Sequence, residues 1–348
     1  MIDLLSLDKD ELSDLLVNEL GEKRYRAKQI FSALHSGVEL SDISTLSKDL
    51  RQRLSEKAYA HFPKIESKQV SRDGTVKYLF SLRDGHCIES VVMKYKHGNT
   101  ICISSQIGCA MGCVFCASCV GGRVRNLLPG ELIGQIISAE KDTGERISNI
   151  VMMGIGEPLD NFDNVIKFLK LVGDEDGLNI GQRHISLSTC GLCEKIRKLA
   201  DMKLGITLSV SLHASSDEKR SAIMPVNNKY PILELMAACK YYYKNTHRRI
   251  SFEYTLISGK NDSREDATAL AELLNRKLRD DADMPIHVNL IRLNEARSGL
   301  SAPETKRVDA FCKVLESHGI SATVRRKLGA DINAACGELR AIKNQQTL

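Results

Sequence analysis

The sequence lacks the long apolar runs, secretory leader and repeats that define several large classes of protein. No stretch approaches the roughly 18 consecutive apolar residues of a membrane-spanning helix. The start, MIDLLSLDKDELSDLL, has no basic segment and no small-residue cleavage site, so we expect no secretory signal. No internal repeat or low-complexity tract is visible. These absences predict a globular, cytoplasmic protein with no membrane partner.

Charge is not concentrated in any tail, whereas cysteine is abundant. The formal net charge is +5, which is compatible with a nucleic-acid partner but does not indicate one. With 348 residues, 43% hydrophobic and 27% charged, the chain is long enough for one large domain and a smaller one. Eleven cysteines without a secretory signal predict reduced thiols, metal binding or catalysis more than a disulfide framework.

The first 95 residues differ in pattern from the rest. Helical periodicity appears in LSDLLVNELG, RAKQIFSALHSG and LSKDLRQRLSEKA, followed by two strand-like runs, TVKYLFSL and CIESVVMKY, joined by RDGH. Basic side chains crowd one stretch, at Lys23, Arg24, Arg26 and Lys28. The pattern predicts a small α+β accessory domain over residues 1–95 with a basic surface.

From about residue 100, strands alternate with helices. Apolar, β-branched runs such as ISNIVMMG, HISLSTCG and RISFEYTLI are separated by helical patterns such as FDNVIKFLKLV and LCEKIRKLADM. The alternation predicts right-handed βαβ units and a parallel sheet over residues 96–348. About six units favour a TIM-like, partly open α/β barrel, although periodicity alone also fits an open doubly wound sheet. Polar segments (GIGEP, STCG, SLHA and RLNEA) follow the strands, where barrels of this type place catalytic groups.

Five cysteines lie in CISSQIGCAMGCVFCASC, residues 102–119. Cys109, Cys113 and Cys116 form C-x3-C-x2-C, a spacing that lets several thiolates of one loop reach one metal centre. A ferredoxin run is spaced differently and ends in Cys-Pro. The spacing favours a three-cysteine iron–sulfur site, with Cys119 as a spare thiol.

Zinc is the alternative interpretation of the same cysteines. A structural zinc site usually has two separated pairs of ligands, and no second pair with histidine spacing follows. Cys190 and Cys193 form a C-x2-C, but at a strand-to-helix turn they are a weak candidate.

A cysteine triplet of this kind early in an α/β barrel resembles the radical S-adenosylmethionine superfamily. Read together, YRAKQIF, CISSQIGCAMGCVFCAS, RNLLPGEL, VMMGIGEPLDN, SLSTCG, VSLHA and LGADINAACGEL resemble the RlmN/Cfr family of RNA methyltransferases within it, over about residues 20–340. The resemblance implies a partial (β/α)6 barrel and one [4Fe–4S] cluster per chain. Cys109, Cys113 and Cys116 would hold the cluster, and its open iron would bind S-adenosylmethionine, the methyl donor and radical source.

The family's chemistry implies roles for two further cysteines. Adenine C2 is not nucleophilic, so a carbon radical must add to it. Cys336 matches the cysteine that is first methylated and then, as a methylene radical, bonds to the ring. Cys102 matches the cysteine that releases the product by forming a disulfide with Cys336, and Glu89 matches a proton acceptor. Without the resemblance, Cys102 would be interpreted as an inert thiol on a strand and Cys336 as an inert thiol in a loop. Glu89 would be interpreted as a polar residue on a strand.

Other motif positions match contacts to S-adenosylmethionine. Hydroxyl groups suit its ribose, and a carboxylate or backbone carbonyl suits its amino group. We expect His213 to bind rather than to transfer protons, because a histidine at a strand end is more often a packed, hydrogen-bonded group. The alternative for GIGEP is a glycine-rich turn capped by Pro158. The matching positions are Gly156, Glu157, Ser188, Ser211, Leu212, His213 and Asn294.

The resemblance also implies partners: 23S ribosomal RNA, transfer RNA and an electron donor such as flavodoxin or ferredoxin, acting on a monomer. The target adenosine must be exposed or flipped from its stack before the reaction. Besides the N-terminal basic stretch, further candidates for phosphate contacts lie near the barrel mouth. They are Arg123, Arg125, Arg325, Arg326 and Lys327.

Two alternatives to an adenine-C2 methyltransferase remain open. One is a Cfr-type enzyme that methylates adenine C8; Pro158 favours the C2 branch, because the C8 branch carries alanine there. The other is a non-enzymatic iron–sulfur RNA-binding protein. Two positions depart from the family pattern: Cys119, where threonine is usual, and Glu338, where glutamine is usual.

Overall fold

The fold is built on one ten-stranded mixed sheet, here described from a computed structural model for residues 1–279, 284–293 and 299–332. The strand order is β14-β13-β12-β11-β10-β9-β6-β5-β4-β3. The strands are β1 Ile2–Asp3, β2 Ala58–Tyr59, β3 Lys64–Val70, β4 Val76–Ser81, β5 Cys87–Tyr95, β6 Gly98–Cys102, β7 Gln106–Gly108, β8 Arg123–Asn126, β9 Ile147–Met152, β10 Ile185–Thr189, β11 Thr207–Ser211, β12 Ile250–Leu256, β13 Ile286–Arg292 and β14 Ser321–Val324.

Ten α-helices accompany these strands in the described residues. α1 and α9 each continue as a five-residue π-helical segment, Leu15–Glu19 and Asn275–Arg279. The helices are α1 Lys9–Asp14, α2 Tyr25–His35, α3 Lys48–Lys57, α4 Pro129–Thr143, α5 Phe162–Leu171, α6 Cys193–Asp201, α7 Asp217–Ile223, α8 Ile232–Thr246, α9 Arg264–Leu274 and α10 Thr305–Ser317. No helix of the described residues is long and apolar enough to cross a membrane.

The parallel part of the sheet has a barrel winding. β6 and β9 to β14 are all parallel, and from β9 onward the strands follow one another in sequence order. A doubly wound sheet would reverse its order at a switch point, and this sheet does not. The order therefore confirms the prediction of a partly open barrel, wound by strand-to-helix units in one direction.

Alternation along the strands separates an outer, apolar face from an inner, polar one. On β10, Ile185 and Leu187 are buried against the helices, whereas Ser186 and Ser188 are half-buried and face the interior. The Ser186 hydroxyl contacts that of Ser209 on β11 at 3.1 Å. On β10 and β11, small hydroxyl side chains thus line the barrel interior and leave room along its axis.

The N-terminal strands extend the same sheet. β3, β4 and β5 pair antiparallel with one another, and β5 pairs antiparallel with β6. One apolar core runs from Leu4 and Leu5 through Leu54 to the barrel strands. The sheet and the core therefore cross residue 95, and a domain boundary there stays a prediction. The sequence interpretation did not predict β3, α7 or the β7–β8 hairpin.

Candidate active site

The segment after β6 and the segment after β9 interlock through their backbones. The Gly154 amide donates to the carbonyl of Ile103 at 3.1 Å, and the Ser105 amide donates to the carbonyl of Ile155 at 2.8 Å. The Ser104 hydroxyl accepts from the Ile155 amide at 3.0 Å. In this way the CISSQ and GIGEP motifs form one rigid unit at the carboxyl end of the barrel.

Glycine is required where these segments touch. Gly156 has a φ of +104°, and a Cβ atom there would lie 2.6 Å from the Cβ of Gln106. At Gly108, φ is +74° and a Cβ would overlap the carbonyl oxygen of Gly122. Larger residues would separate the cysteine loop from the GIGEP turn.

Glu157 holds two strand ends together from inside the protein. The side chain is 3% exposed, and its carboxylate accepts from the amides of Leu159 at 3.0 Å and Cys190 at 2.7 Å. Burial raises the pKa of this carboxyl above its usual value. These contacts make Glu157 a brace between the GIGEP turn and the end of β10.

Several residues expected to contact S-adenosylmethionine lie at the ends of the neighbouring strands β10 and β11. Ser188 and Ser211 are half-buried on neighbouring strands and face the interior. Leu212 is fully buried, and its amide donates to the carbonyl of Glu253 at 3.0 Å. Of the residues expected to contact the cofactor at these strand ends, the two serines therefore have side chains that line the barrel interior.

His213 lies between β11 and the cysteine loop. It adopts a φ of +56°, its Nδ1 accepts from the Thr255 amide at 2.9 Å, and its ring meets that of Phe115 edge-on at 4.9 Å between centroids. Burial, followed by the charge of Arg220, lowers the pKa of His213 to about 3. The imidazole is therefore neutral at physiological pH, as expected for a binding or packing role.

Arg220, on α7, connects the segments at the ends of β10 and β11. Its guanidinium is fully buried and donates to the carbonyls of Cys190 at 2.7 Å and Leu212 at 3.1 Å. Further donations reach the Ser211 carbonyl at 3.1 Å, the Asn227 Oδ1 at 3.0 Å and the Tyr230 carbonyl at 3.4 Å. Burial lowers the pKa of Arg220. One side chain thus fixes the loops after β10 and β11.

The sulfurs of the cysteine loop converge. The thiols of Cys109, Cys113 and Cys116 all hydrogen-bond to that of Cys119, which lowers the pKa of Cys119. The same hydrogen bonds, and then burial, raise the pKa of Cys109 and Cys113. The four sulfurs therefore lie close to one another in one loop.

An iron–sulfur cluster fits this donor set. Soft thiolates are the ligands that such clusters take, and three of them arise here from one short loop. The loop is held by the Val114 amide, which donates to the Ile223 carbonyl at 3.1 Å, and its apolar side chains pack on Ala214, Ile257 and Leu293.

In the described residues, no group of three or more His, Cys, Asp or Glu side chains is arranged to hold a single metal ion.

Cys102 and Glu89 lie in the wall of the barrel beside this loop. Cys102 ends β6, is 8% exposed and pairs with Val91 of β5 and Val151 of β9. Glu89, 4% exposed, lies on β5, and its carbonyl accepts from the Ser104 hydroxyl at 2.6 Å. The cysteines among the described residues are all free thiols.

Two expected site residues, Asn294 and Cys336, lie outside the described residues. The chain leading toward Cys336 is held by the turn between β3 and β4. The Gly329 amide donates to Asp73 at 2.8 Å, and the Asp331 carboxylate accepts from the amide of Arg72 at 3.1 Å.

Several of the expected phosphate contacts are bound to carboxylates instead. Arg26 pairs with Glu22, Lys28 with Asp176, Arg123 with Asp160, and Arg125 with both Asp84 and Glu131. The exposed members that form no ion pair within the described residues are Lys23, Arg24, Arg325, Arg326 and Lys327. These five remain the better candidates for an RNA surface.

The sequence interpretation missed the residues that hold the site together. Gln106 Oε1 accepts from the Glu157 amide at 2.9 Å, and its amide nitrogen donates to Asn126 and Asp160. Asn261 donates to the carbonyls of His213 and Thr255 at 2.7 and 2.8 Å. In the sequence, such residues could be recognised only by their position next to a motif, because the groups that they bond to are distant in sequence.

Two family models and two curated relatives match this chain. Residues 103–271 match the family model described as the radical SAM superfamily, and residues 2–60 match the one described as the ribosomal RNA large subunit methyltransferase N-terminal domain. A protein of Clostridium novyi (strain NT) is 51% identical, with 98% of each chain covered. One of Alkaliphilus oremlandii (strain OhILAs) is 54% identical, with 97% of each covered. Both are described as "Probable dual-specificity RNA methyltransferase RlmN".

A solved structure agrees over nearly the whole fold. The crystal structure of a radical SAM methyltransferase from Sphaerobacter thermophilus superposes with a TM-score of 0.91 at 40% identity. The alignment covers 97% of this chain and 99% of that one.

Proposed function

Because this chain belongs to the RlmN family of RNA methyltransferases within the radical S-adenosylmethionine superfamily, we propose that it methylates adenine C2 in 23S ribosomal RNA and in transfer RNA. The observation that carries the proposal is the placement of Cys102 in the barrel wall, directly before the loop with the three converging thiols. A thiol there can act on the same substrate as a radical generated at that loop. The description of the relatives as dual-specificity RNA methyltransferases supports two RNA substrates.

The chain would hold two cofactors. Cys109, Cys113 and Cys116 would bind the [4Fe–4S] cluster through their thiolates. The expected contacts to S-adenosylmethionine are Gly156, Glu157, Ser188, Ser211, Leu212, His213 and Asn294. When bound, the cluster supplies the electron that cleaves S-adenosylmethionine into methionine and a 5′-deoxyadenosyl radical.

The protein's own sulfurs would carry the methyl group. Cys336 first accepts a methyl group from one S-adenosylmethionine, forming a thioether and releasing S-adenosylhomocysteine. The methyl carbon of Cys336 then gives a hydrogen atom to the 5′-deoxyadenosyl radical and bonds to adenine C2. The ring loses its C2 proton and one electron, which the bound cluster would take up. Glu89 is the proposed acceptor of that proton.

Cys102 would release the product. Its thiolate attacks the sulfur of Cys336, an S–S bond forms, and the bond between that sulfur and the methylene carbon breaks. The carbon keeps the electron pair and takes up a proton, which completes the methyl group. The partial burial of Cys102 protects its thiol from other oxidants until the substrate is bound.

The substrate and the cell must supply the rest. The target adenosine has to leave its stack to enter the barrel, and the exposed basic residues after β14 would hold flanking phosphates. A small electron-transfer protein, such as flavodoxin or ferredoxin, would reduce the cluster. We propose that the protein acts as a monomer in the cytoplasm.

The product identifies the reaction. We expect the reconstituted protein, incubated without oxygen with S-adenosylmethionine, a reductant and unmodified 23S RNA, to form 2-methyladenosine, detected by mass spectrometry of the nucleosides. Transfer RNA should give the same nucleoside, and Cys336→Ala should give none while it retains the visible absorbance of the cluster. Formation of 8-methyladenosine would refute the C2 assignment, and undiminished methylation by Cys336→Ala would refute the carrier role.

A further inference from the structure

Lys77 and Glu89 form a buried ion pair in the wall of the barrel. The side chains are 1% and 4% exposed, and Nζ lies 3.9 Å from Oε1. In the other ion pairs between described residues, such as Lys219–Asp266 and Arg307–Asp262, at least one partner reaches the surface. Taking both charges out of water is costly, so a stability role alone does not account for this pair.

The strand register places the pair beside the resolving cysteine. Lys77 of β4 lies opposite Val91 of β5, which lies opposite Cys102 of β6, so all three share the interior face of the sheet. Two strand spacings separate Lys77 from Cys102, roughly 10 Å between Cα atoms. Glu89 lies two positions from Val91 on that face, toward the carboxyl end of β6.

The strand that carries Glu89 is fixed by the surrounding structure. The Glu89 carbonyl accepts from Ser104, whose amide donates to Gln135 on α4 at 2.8 Å. Gln135 is fully buried and donates back to the Ser104 carbonyl at 3.0 Å. The carboxylate is thus carried on a rigid strand, and the ammonium of Lys77 is its charged neighbour.

We propose that Lys77 is a positioning residue for methyl transfer: its ammonium orients the Glu89 carboxylate toward the reacting adenine and supplies its counter-charge. This inference rests on the proposed function and adds a residue to it. Without Lys77, the carboxylate would lose the positive charge beside it in the barrel wall, and that charge would no longer hold its orientation toward the adenine.

The step that depends on this pair is a proton transfer. When the methylene carbon of Cys336 has bonded to C2, the C2–H bond breaks and its proton passes to a Glu89 oxygen; the cluster that Cys109, Cys113 and Cys116 would hold would take up the one electron that the ring loses. When the Cys102 sulfur bonds to that of Cys336, the C–S electron pair goes to carbon, which takes the proton from Glu89. Glu89 ends ionised, as it began, and the two thiols are oxidised to a disulfide.

Three single substitutions test the proposal in the reconstituted full-length enzyme. Lys77→Met removes the charge at similar length, and Lys77→Arg keeps it. Lys68→Met is the matched control, because Lys68 lies on the adjacent strand β3 and pairs with Asp142 on the helix side of the sheet. Each variant is assayed for 5′-deoxyadenosine, for RNA–protein adduct on denaturing gels and for free 2-methyladenosine.

We expect Lys77→Met to release methylated RNA about 30-fold or more slowly than wild type, with adduct accumulating. In a single turnover, formation of 5′-deoxyadenosine should stay within about twofold, because the cluster and its cofactor are not touched. Lys77→Arg should recover most of the lost rate, and Lys68→Met should match wild type. Release at the wild-type rate by Lys77→Met, or failure of Lys77→Arg to recover any of the lost rate, would overturn the proposal.

A double variant covers the case in which Lys77→Met does not fold. Lys77→Met/Glu89→Gln removes both charges and leaves no lone buried ion. If Lys77 acts through Glu89, the double variant loses no more activity than Glu89→Gln alone. Losses that multiply would overturn the proposal. A wild-type enzyme that forms no methylated adenosine would instead refute the proposed function itself.

Discussion

Two buried titratable side chains near the site are either neutral or hydrogen-bonded through all their acceptor atoms. His213 has its pKa lowered to about 3 and accepts a backbone hydrogen bond, so it cannot act as an acid near neutral pH. Glu157 uses both carboxylate oxygens on backbone amides. At this scale, the residues expected to contact the cofactor also build the pocket that would hold it.

His35 contributes to the acid sensitivity of the fold. It ends α2, stacks on Phe31 at 4.0 Å and is 4% exposed, and neither ring nitrogen has a hydrogen-bond partner in the described part of the chain. Burial lowers its pKa from 6.5 to about 4. Between these values the unfolded chain binds a proton that the folded chain does not. The free energy of unfolding therefore falls as pH falls, by about 1.4 kcal/mol per unit.

We expect His35→Leu to remove the contribution of His35 to this dependence. Between pH 7 and pH 5 the variant should gain about 2 kcal/mol of unfolding free energy relative to wild type, whatever its difference at pH 7. Urea unfolding at both pH values measures the gain. His184→Leu, which replaces an exposed histidine, should follow the wild-type dependence. A constant difference between His35→Leu and wild type would show that His35 takes up protons in the folded state.

At the scale of elements, the site depends on how loops from different strands are joined. α7 contributes little apolar surface, but its Arg220 donates to carbonyls after both β10 and β11. The loops that carry Ser211 and His213 are thereby fixed relative to Cys190 and Glu157. A buried guanidinium bonded to carbonyls is costly to remove, because each carbonyl is left unsatisfied.

We expect Arg220→Met to lower the free energy of unfolding by about 3 kcal/mol and to weaken binding of S-adenosylmethionine. Urea unfolding and calorimetric titration measure the two effects. Arg197→Met is the matched control: Arg197 pairs with Glu234 at 3.3 Å, with both side chains more than a third exposed. That surface pair should be worth no more than about 1 kcal/mol. Equal stability of the two variants would contradict the structural role of Arg220.

Most elements could be predicted from local pattern, because each buries one apolar face. β5, predicted from CIESVVMKY, matches Cys87–Tyr95. β3, in contrast, is a largely exposed strand, KIESKQV, with few apolar residues to mark it. β7 begins at the last residue of the CISSQ motif and pairs with β8 beyond the cysteine loop, and the short α7 carries charges on most of its length. Where function or exposure determines the residues, periodicity is lost.

At the scale of the whole molecule, the chain is a radical SAM RNA methyltransferase with a partial barrel and an N-terminal module packed on one continuous core. The motifs predicted which loops meet at the barrel mouth. They could not predict Lys77, Gln106 or Arg220, whose partners come from other strands. Such contacts depend on register and on closure of the sheet, and neither is encoded in a single segment.

The central claim is that the methyl group travels on Cys336 and is released by Cys102. The most direct measurement is anaerobic incubation of Cys102→Ala with 23S RNA, followed by mass spectrometry of the covalent products. We expect an adduct that joins Cys336 to adenosine C2 through one methylene, with little free 2-methyladenosine. Cys312→Ala, a half-buried thiol on α10, should release methylated RNA as wild type does. Free methylated RNA formed by Cys102→Ala at the wild-type rate would contradict the account.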